Sequence, residues 1–156
     1  MVTYAQKTAD RQPISAGLIA INAASGTPCT VDTYCVAKIN SLGRFAAIGA
    51  ANLPSVGAQG FSIHMADAVP GNTTIAFFGA ASASVPFMNG TLCVAPAFTR
   101  LAPQVITSSG TASYAIHVTT ELTGIARFYQ FWYRDPAHPD GTGTALSDGL
   151  RITPCD

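Results

Sequence analysis

Phe61-Ser62-Ile63-His64-Met65 alternates apolar and polar side chains, the period of a strand with one face buried and the other wet. Tyr114-Ala115-Ile116-His117-Val118 repeats the pattern. Outward from these two stretches, further runs rich in β-branched and aromatic residues cover 14–23, 31–38, 45–50, 73–78, 91–98, 105–108, 127–134 and 150–153. Between them stand Pro54, Pro70-Gly71-Asn72, Pro86, Asn89-Gly90, Pro103, Ser109-Gly110 and the stretch 136–143, all turn-forming or strand-breaking. About eight to ten short strands at this spacing, almost without helical periodicity, predict an all-β fold: an antiparallel β-sandwich, jelly-roll or Ig-like, whose two sheets bury their alternating faces against each other. No internal repeat or long linker divides the chain, so residues 1–156 form one expected domain, with 1–13 as a flexible N-terminal extension.

Composition limits what such a domain does. Of 156 residues only 10% are charged, the net charge is zero and 48% are apolar, against about 25% charged in an ordinary domain. Eight scattered Lys and Arg cannot displace many counterions, which argues against nucleic acid as a partner. A neutral surface repels its own copies weakly, which favours self-association or contact with other surface proteins. The longest apolar run, 18–24, is far too short for a membrane span. The start carries Lys7, Asp10 and Arg11 and does not read as a signal peptide, so if the protein is exported its signal has been removed or lies in a longer precursor.

Cys29, Cys35, Cys93 and Cys155 form an even set in a small Thr-rich and Ser-rich chain, the pattern of two disulfides made in an oxidising compartment. Their spacing does not suit zinc, which takes cysteines in closely spaced pairs. All three pairings stay open on count alone.

Four motifs occur in order: Tyr34-Cys35-Val36-Ala37-Lys38-Ile39-Asn40-Ser41-Leu42-Gly43, Gly90-Thr91-Leu92-Cys93-Val94, Gln130-Phe131-Trp132-Tyr133-Arg134-Asp135-Pro136 and Leu146-Ser147-Asp148-Gly149-Leu150, followed by Cys155. Over about residues 31–156 the chain resembles a recurrent C-terminal β domain of large secreted proteins from planctomycetes and other marine bacteria, a family without established activity. The resemblance implies an extracellular or cell-surface address. Where the family pattern has a cysteine after Ser-Leu-Gly, this chain has Arg44 and carries Cys29 instead. That exchange implies a local Cys29–Cys35 bridge and a second one between Cys93 and Cys155.

The candidate chemistry is thin. His64, His117 and His138 show no Glu-x-x-His or His-x-His element, and His64 and His117 sit on the polar phase of strands, where a solvated histidine is expected. No Gly-x-Ser-x-Gly elbow is present. Glu121 is the only glutamate, and no spacing singles out an aspartate as its partner for glycosidase chemistry. No catalytic residue is assigned and no enzyme is expected.

Asp135, Asp140 and Asp148, in a loop rich in threonine, offer the hard oxygens that calcium prefers, but not at EF-hand spacing. The preferred reading has no cofactor: the loop holds itself together, with Asp135 capping a turn and Arg134 or Arg151 paired with Asp148. In the aromatic run, Tyr129, Phe131 and Tyr133 share one strand face and Phe128 and Trp132 the other. If the first face is core, Trp132 is exposed or covered by a loop. Trp132, Phe128, Arg134 and His138 are the candidate binding residues, since an exposed indole stacks on sugars or anchors a partner. The uncharged segment 14–23 either pairs within its own chain, the preferred reading, or adds to the sheet edge of a neighbouring copy. The expected function is a non-catalytic extracellular structural or adhesive domain, a self-assembling subunit or surface-attachment module. The alternative is a carbohydrate-binding module that retains polysaccharide.

Overall fold

A computed structural model of the chain describes residues 28–156 and, before them, the backbone of the strand Leu18–Ile21. The strands are β1 Leu18–Ile21, β2 Pro28–Tyr34, β3 Ala47–Ala51, β4 Ser62–Ala66, β5 Thr73–Gly79, β6 Ser82–Phe87, β7 Gly90–Val94, β8 Thr99–Arg100, β9 Gln104–Val105, β10 Ala112–Ala115, β11 Arg127–Arg134 and β12 Thr144–Thr153. The fold is all-β, with antiparallel sheets packed together. Seven strands form the main sheet, in the order β1-β2-β12-β11-β5-β8 with β9 also on β5; β10-β4-β3 form a second sheet and β6-β7 a hairpin. The segment 14–23 is represented by β1, which pairs antiparallel with β2 of its own chain at the sheet edge. Positions 14–17 and 22–23, and the extension 1–13, lie outside the described residues.

Alternation builds the core. In β11 the buried Tyr129, Phe131 and Tyr133 join Ala76 of β5 and Leu150 and Ile152 of β12, and pack against Ile48, Ile63, Met65, Ala112 and Tyr114 of the three-stranded sheet. Facing the same way is what the period-2 pattern requires of these positions. The opposite face of the main sheet carries Gln130, Trp132, Ile75 and Phe77, and the β6–β7 hairpin lies across part of it.

Ten of the strands correspond to the ten expected runs; β6 and β8 are additional, and several ends shift. The run 31–38 begins earlier, at Pro28, and stops at Tyr34 because Cys35 turns into the left-handed region at φ 69°. The run 114–118 stops at Ala115, so exposed His117 lies beyond the strand. His64 stays in β4, half-buried, its Nε2 so close to Gly49 of β3 that a Cβ there would lie 2.8 Å away. The hairpin turn also differs by one residue. Phe87 pairs with Gly90, leaving Met88 (φ 50°) and Asn89 (φ 59°) as its two central residues, both with the positive φ that a type I′ turn demands.

Two disulfides are present, Cys29–Cys155 and Cys35–Cys93. The expected Cys29–Cys35 and Cys93–Cys155 pairing is therefore corrected. Cys29 sits near the start of β2 and Cys35 just past its end, so at about 3.3 Å per residue the extended chain holds them roughly 20 Å apart, far beyond the ~7 Å limit between bridged Cα atoms. Cys29 instead meets the end of β12, where Thr30 already pairs with Thr153.

Candidate functional site

The four motifs converge on one internal clasp. Tyr34 sends its hydroxyl to the Cys93 carbonyl and Cys35 bonds Cys93 itself, so the end of β2 is tied twice to β7. Burial pushes the Tyr34 hydroxyl up to about 12, which keeps it a donor. Gly149 is required here, because a Cβ would lie 2.6 Å from the Tyr34 ring. From β11, the buried Gln130 accepts the Cys93 amide at 2.9 Å and donates to the carbonyls of Thr91 (2.9 Å) and Ser147 (2.8 Å). These three bonds go to backbone, and with a further contact of Nε2 to Cys93 Sγ at 3.2 Å they fasten β7 to the sheet.

Lys38 is buried, and its ammonium spends three donors on Asp140 Oδ2 (2.6 Å), the Met88 carbonyl (2.7 Å) and Thr142 Oγ1 (2.8 Å). It thereby pins the hairpin turn to the loop that follows β11. Asn40 is equally complete: Oδ1 accepts the amides of Leu42 and Arg44, while Nδ2 donates to the Asp67 carbonyl and the Tyr133 hydroxyl. Four bonds exhaust its capacity. Burial raises the Tyr133 hydroxyl to about 12, the Asn40 bond opposing and the Asp135 charge adding to that.

The three aspartates do separate work and do not converge. Asp135, fully buried, accepts the amide and hydroxyl of Ser41 with its carboxylate, so the turn it begins is closed by its backbone carbonyl, which takes the His138 amide, and not by the side chain as expected. Asp140 holds Lys38, His138 Nδ1 (2.8 Å) and Thr142. Partial burial pushes its carboxyl up, but hydrogen bonds from Lys38, Thr142 and Asn89 outweigh that and hold it well below the usual carboxylate range. Asp148 belongs to a β-bulge: Gln130 pairs Gly149 and Trp132 pairs Leu146, so Ser147 and Asp148 together oppose Phe131. Ser147 Oγ accepts the Phe131 amide, and Asp148 Oδ1 accepts the Ile48 amide of β3 at 2.8 Å. Burial raises the Asp148 carboxyl, the Ile48 bond opposing it. The expected pairing of Asp148 with Arg134 or Arg151 is thus replaced by a backbone bond, because the bulge turns this side chain toward β3. Among the described residues, no three His, Cys, Asp or Glu side chains gather as metal ligands.

The four candidate binding residues are dispersed. His138 is buried in the clasp, its Nε2 2.8 Å from the Ile39 carbonyl. Phe128 packs edge-on to Tyr34, with ring centroids 5.7 Å apart. Arg134 is exposed at the end of β11. Trp132 opens onto a cavity.

That cavity is an apolar groove of about 260 Å³ beside the hairpin, lined by Ile75, Phe77, Phe87, Met88, Leu92, Phe98, Arg100 and Trp132. Its floor is the outer face of the main sheet, where Trp132 pairs across to Ile75 and Phe77 to Arg100. The hairpin supplies one wall and Phe98 with Arg100 the other. Sequence reading picked out Trp132 but not its neighbours; the only signal for them was the two-residue spacing of Ile75 with Phe77 and of Phe98 with Arg100.

Among the described residues, no helix is long and apolar enough to cross a membrane. No family model, curated protein or solved structure matches this chain.

Proposed function

We propose that the chain is a non-catalytic β domain serving as a structural or attachment unit of an extracellular or cell-surface protein. One observation carries this reading. Of the polar residues in its distinctive motifs, Lys38, Asn40, Ser41, Gln130 and Asp135 have internal partners in the clasp, where Asp140 of the loop after β11 joins them, so they supply rigidity rather than a reactive group. Two disulfides and the resemblance to C-terminal domains of secreted proteins support the address. The exposed Val36, Ile39, Leu42 and Phe45, within one ten-residue segment, support a surface that meets other macromolecules.

The carbohydrate-binding alternative is less well supported, since the groove around Trp132 offers one polar side chain, Arg100, where sugar hydroxyls need several. Affinity electrophoresis through gels containing soluble β-glucan, xylan or mannan separates the two readings. No retardation is expected; retardation that disappears in Trp132→Ala would put the carbohydrate-binding module in place of the structural one.

A further inference from the structure

We infer that the groove beside the β6–β7 hairpin binds a single-chain amphiphilic carboxylate of the fatty-acid class, hydrocarbon along Trp132 and carboxylate on Arg100. The argument rests on charge complementarity within an otherwise apolar site. Trp132, Ile75, Phe77, Leu92 and Phe98 offer a ligand no hydrogen-bonding side chain except the indole N–H, so its body must be hydrocarbon. Arg100 is the one charged residue in the lining. Its register opposite Phe77 puts it on the groove face of the sheet, and its guanidinium lies 5.5 Å from the centroid of the Phe98 ring. Among the described residues Arg100, like Arg127, Arg134 and Arg151, is in no ion pair, and of these it alone lines the groove.

A guanidinium presents a fork of donors that fits a carboxylate through two parallel bonds. Stacking over Phe98 aligns that fork beforehand and leaves its edge for an anion. A cationic amphiphile is repelled there, and a neutral one leaves the fork unmatched. Size narrows the class further: about 260 Å³, at roughly 30 Å³ per water-sized group, holds one chain of roughly nine such groups, too little for a two-chain lipid. The site adds a ligand to the non-catalytic reading above, and the two can fail separately.

Trp132 is the only tryptophan, so its fluorescence reports on the groove directly, and calorimetry covers a binding event that leaves emission unchanged. The full chain, with disulfides intact, is titrated at pH 8 with hexanoate, octanoate, nonanoate and decanoate, then with 1-nonanol and nonyltrimethylammonium. Saturable one-site binding is expected to tighten about fourfold per added methylene and to level off near nine or ten carbons. The alcohol and the cation should bind at least about tenfold more weakly than nonanoate, the lower range for a lost charge-assisted bond. Arg100→Gln should weaken nonanoate about tenfold while leaving 1-nonanol unchanged. Leu92→Trp, which fills the groove without touching the arginine, should abolish both.

No saturable binding of any carboxylate, equal affinity for the cation, or an Arg100→Gln variant that binds nonanoate as the parent does would each overturn the assignment. Those results would leave the clasp and the non-catalytic reading standing. Hydrolysis of a nonanoyl ester at a rate that follows groove occupancy would instead overturn the non-catalytic reading.

Discussion

The clasp and the groove meet at the β6–β7 hairpin, which Lys38 pins from one and which lines the other, and they are built on opposite rules. In the clasp nearly every polar atom has a partner: Lys38 makes three bonds, Asn40 four and Gln130 three to backbone. In the groove seven apolar or aromatic side chains surround a single cation without a carboxylate. Buried polar networks tolerate little substitution, because each unmatched group costs a desolvation penalty. They therefore write long, specific motifs into a sequence. An apolar groove can be lined by many combinations of ordinary residues, and leaves almost no motif. In this chain the conspicuous residues mark architecture and the inconspicuous ones mark the surface available to a ligand.

The disulfides test that contrast most forcefully. Replacing Cys35 and Cys93 together by serine removes a bridge of separation 58, and the chain-entropy estimate puts the cost at roughly 4 kcal/mol. Replacing Cys29 and Cys155 removes a separation of 126 and costs slightly more, roughly 5 kcal/mol. Urea denaturation should show both losses. Only the Cys35/Cys93 variant should also weaken nonanoate binding, since that bridge anchors the hairpin that walls the groove. Equal loss of binding in the two variants would erase the distinction between clasp and groove.

Asp135→Ala comes next. It leaves the Ser41 amide and hydroxyl without their buried acceptor, at a cost of about 2–4 kcal/mol. The same measurement in Arg134→Ala, one residue earlier but exposed, should move stability by less than about 0.5 kcal/mol. Comparable losses in the two would show that the clasp is not the specific network described.

These differences also explain which parts of the molecule were legible from sequence. The run 127–134 is β11 to the residue, because its dense aromatics read as a strand, with Tyr129, Phe131 and Tyr133 on one face and Phe128 and Trp132 on the other. Strand β6 escaped notice: Ser82–Phe87 carries small polar residues and Pro86, tolerable only where an edge strand faces solvent. The even cysteine count implied two bridges, but their partners depend on where β2 begins and ends. Had residues 29–34 been read as one strand, Cys29 and Cys35 would have stood at opposite ends of it. Asp148 looked like a partner for arginine until the bulge at Ser147 and Asp148 redirected it to Ile48. Alternation alone set Trp132 on the face opposite Tyr129, Phe131 and Tyr133, whereas Arg100 joins it only through the pairing of β5 with β8, a contact between segments that no local pattern announces.

Acid should loosen the clasp through Asp140. Its carboxyl is depressed in the folded state, the bonds from Lys38, Thr142 and Asn89 outweighing burial, so it contributes stability that is fully present above the ordinary value of 3.8 and is lost as pH falls through the folded value. Asp148 has the opposite sign: burial raises its carboxyl, so acidification relieves a cost there. Urea midpoints measured from about pH 5 down to pH 2 should fall less steeply in Asp140→Asn than in the parent, and more steeply in Asp148→Asn. Parallel curves for the parent and Asp140→Asn would show that the Lys38–Asp140 pair does not contribute to the clasp.

Only a small stability effect is expected at Arg100, and its smallness is what makes it informative. The residue is exposed, its guanidinium is in no ion pair among the described residues, and its ring contact is with Phe98 of the same strand region. An exposed cation–π contact contributes about 0.5–1 kcal/mol at most, and surface substitutions of this kind usually stay within about 0.5 kcal/mol. Arg100→Gln should therefore melt within a few degrees of the parent while losing the preference for nonanoate over 1-nonanol. A residue of the clasp cannot behave this way, because there stability and partner contacts are the same bonds. If Arg100→Gln instead lost several kcal/mol, Arg100 would belong to the architecture, and the division between a clasp that holds and a groove that binds would not stand.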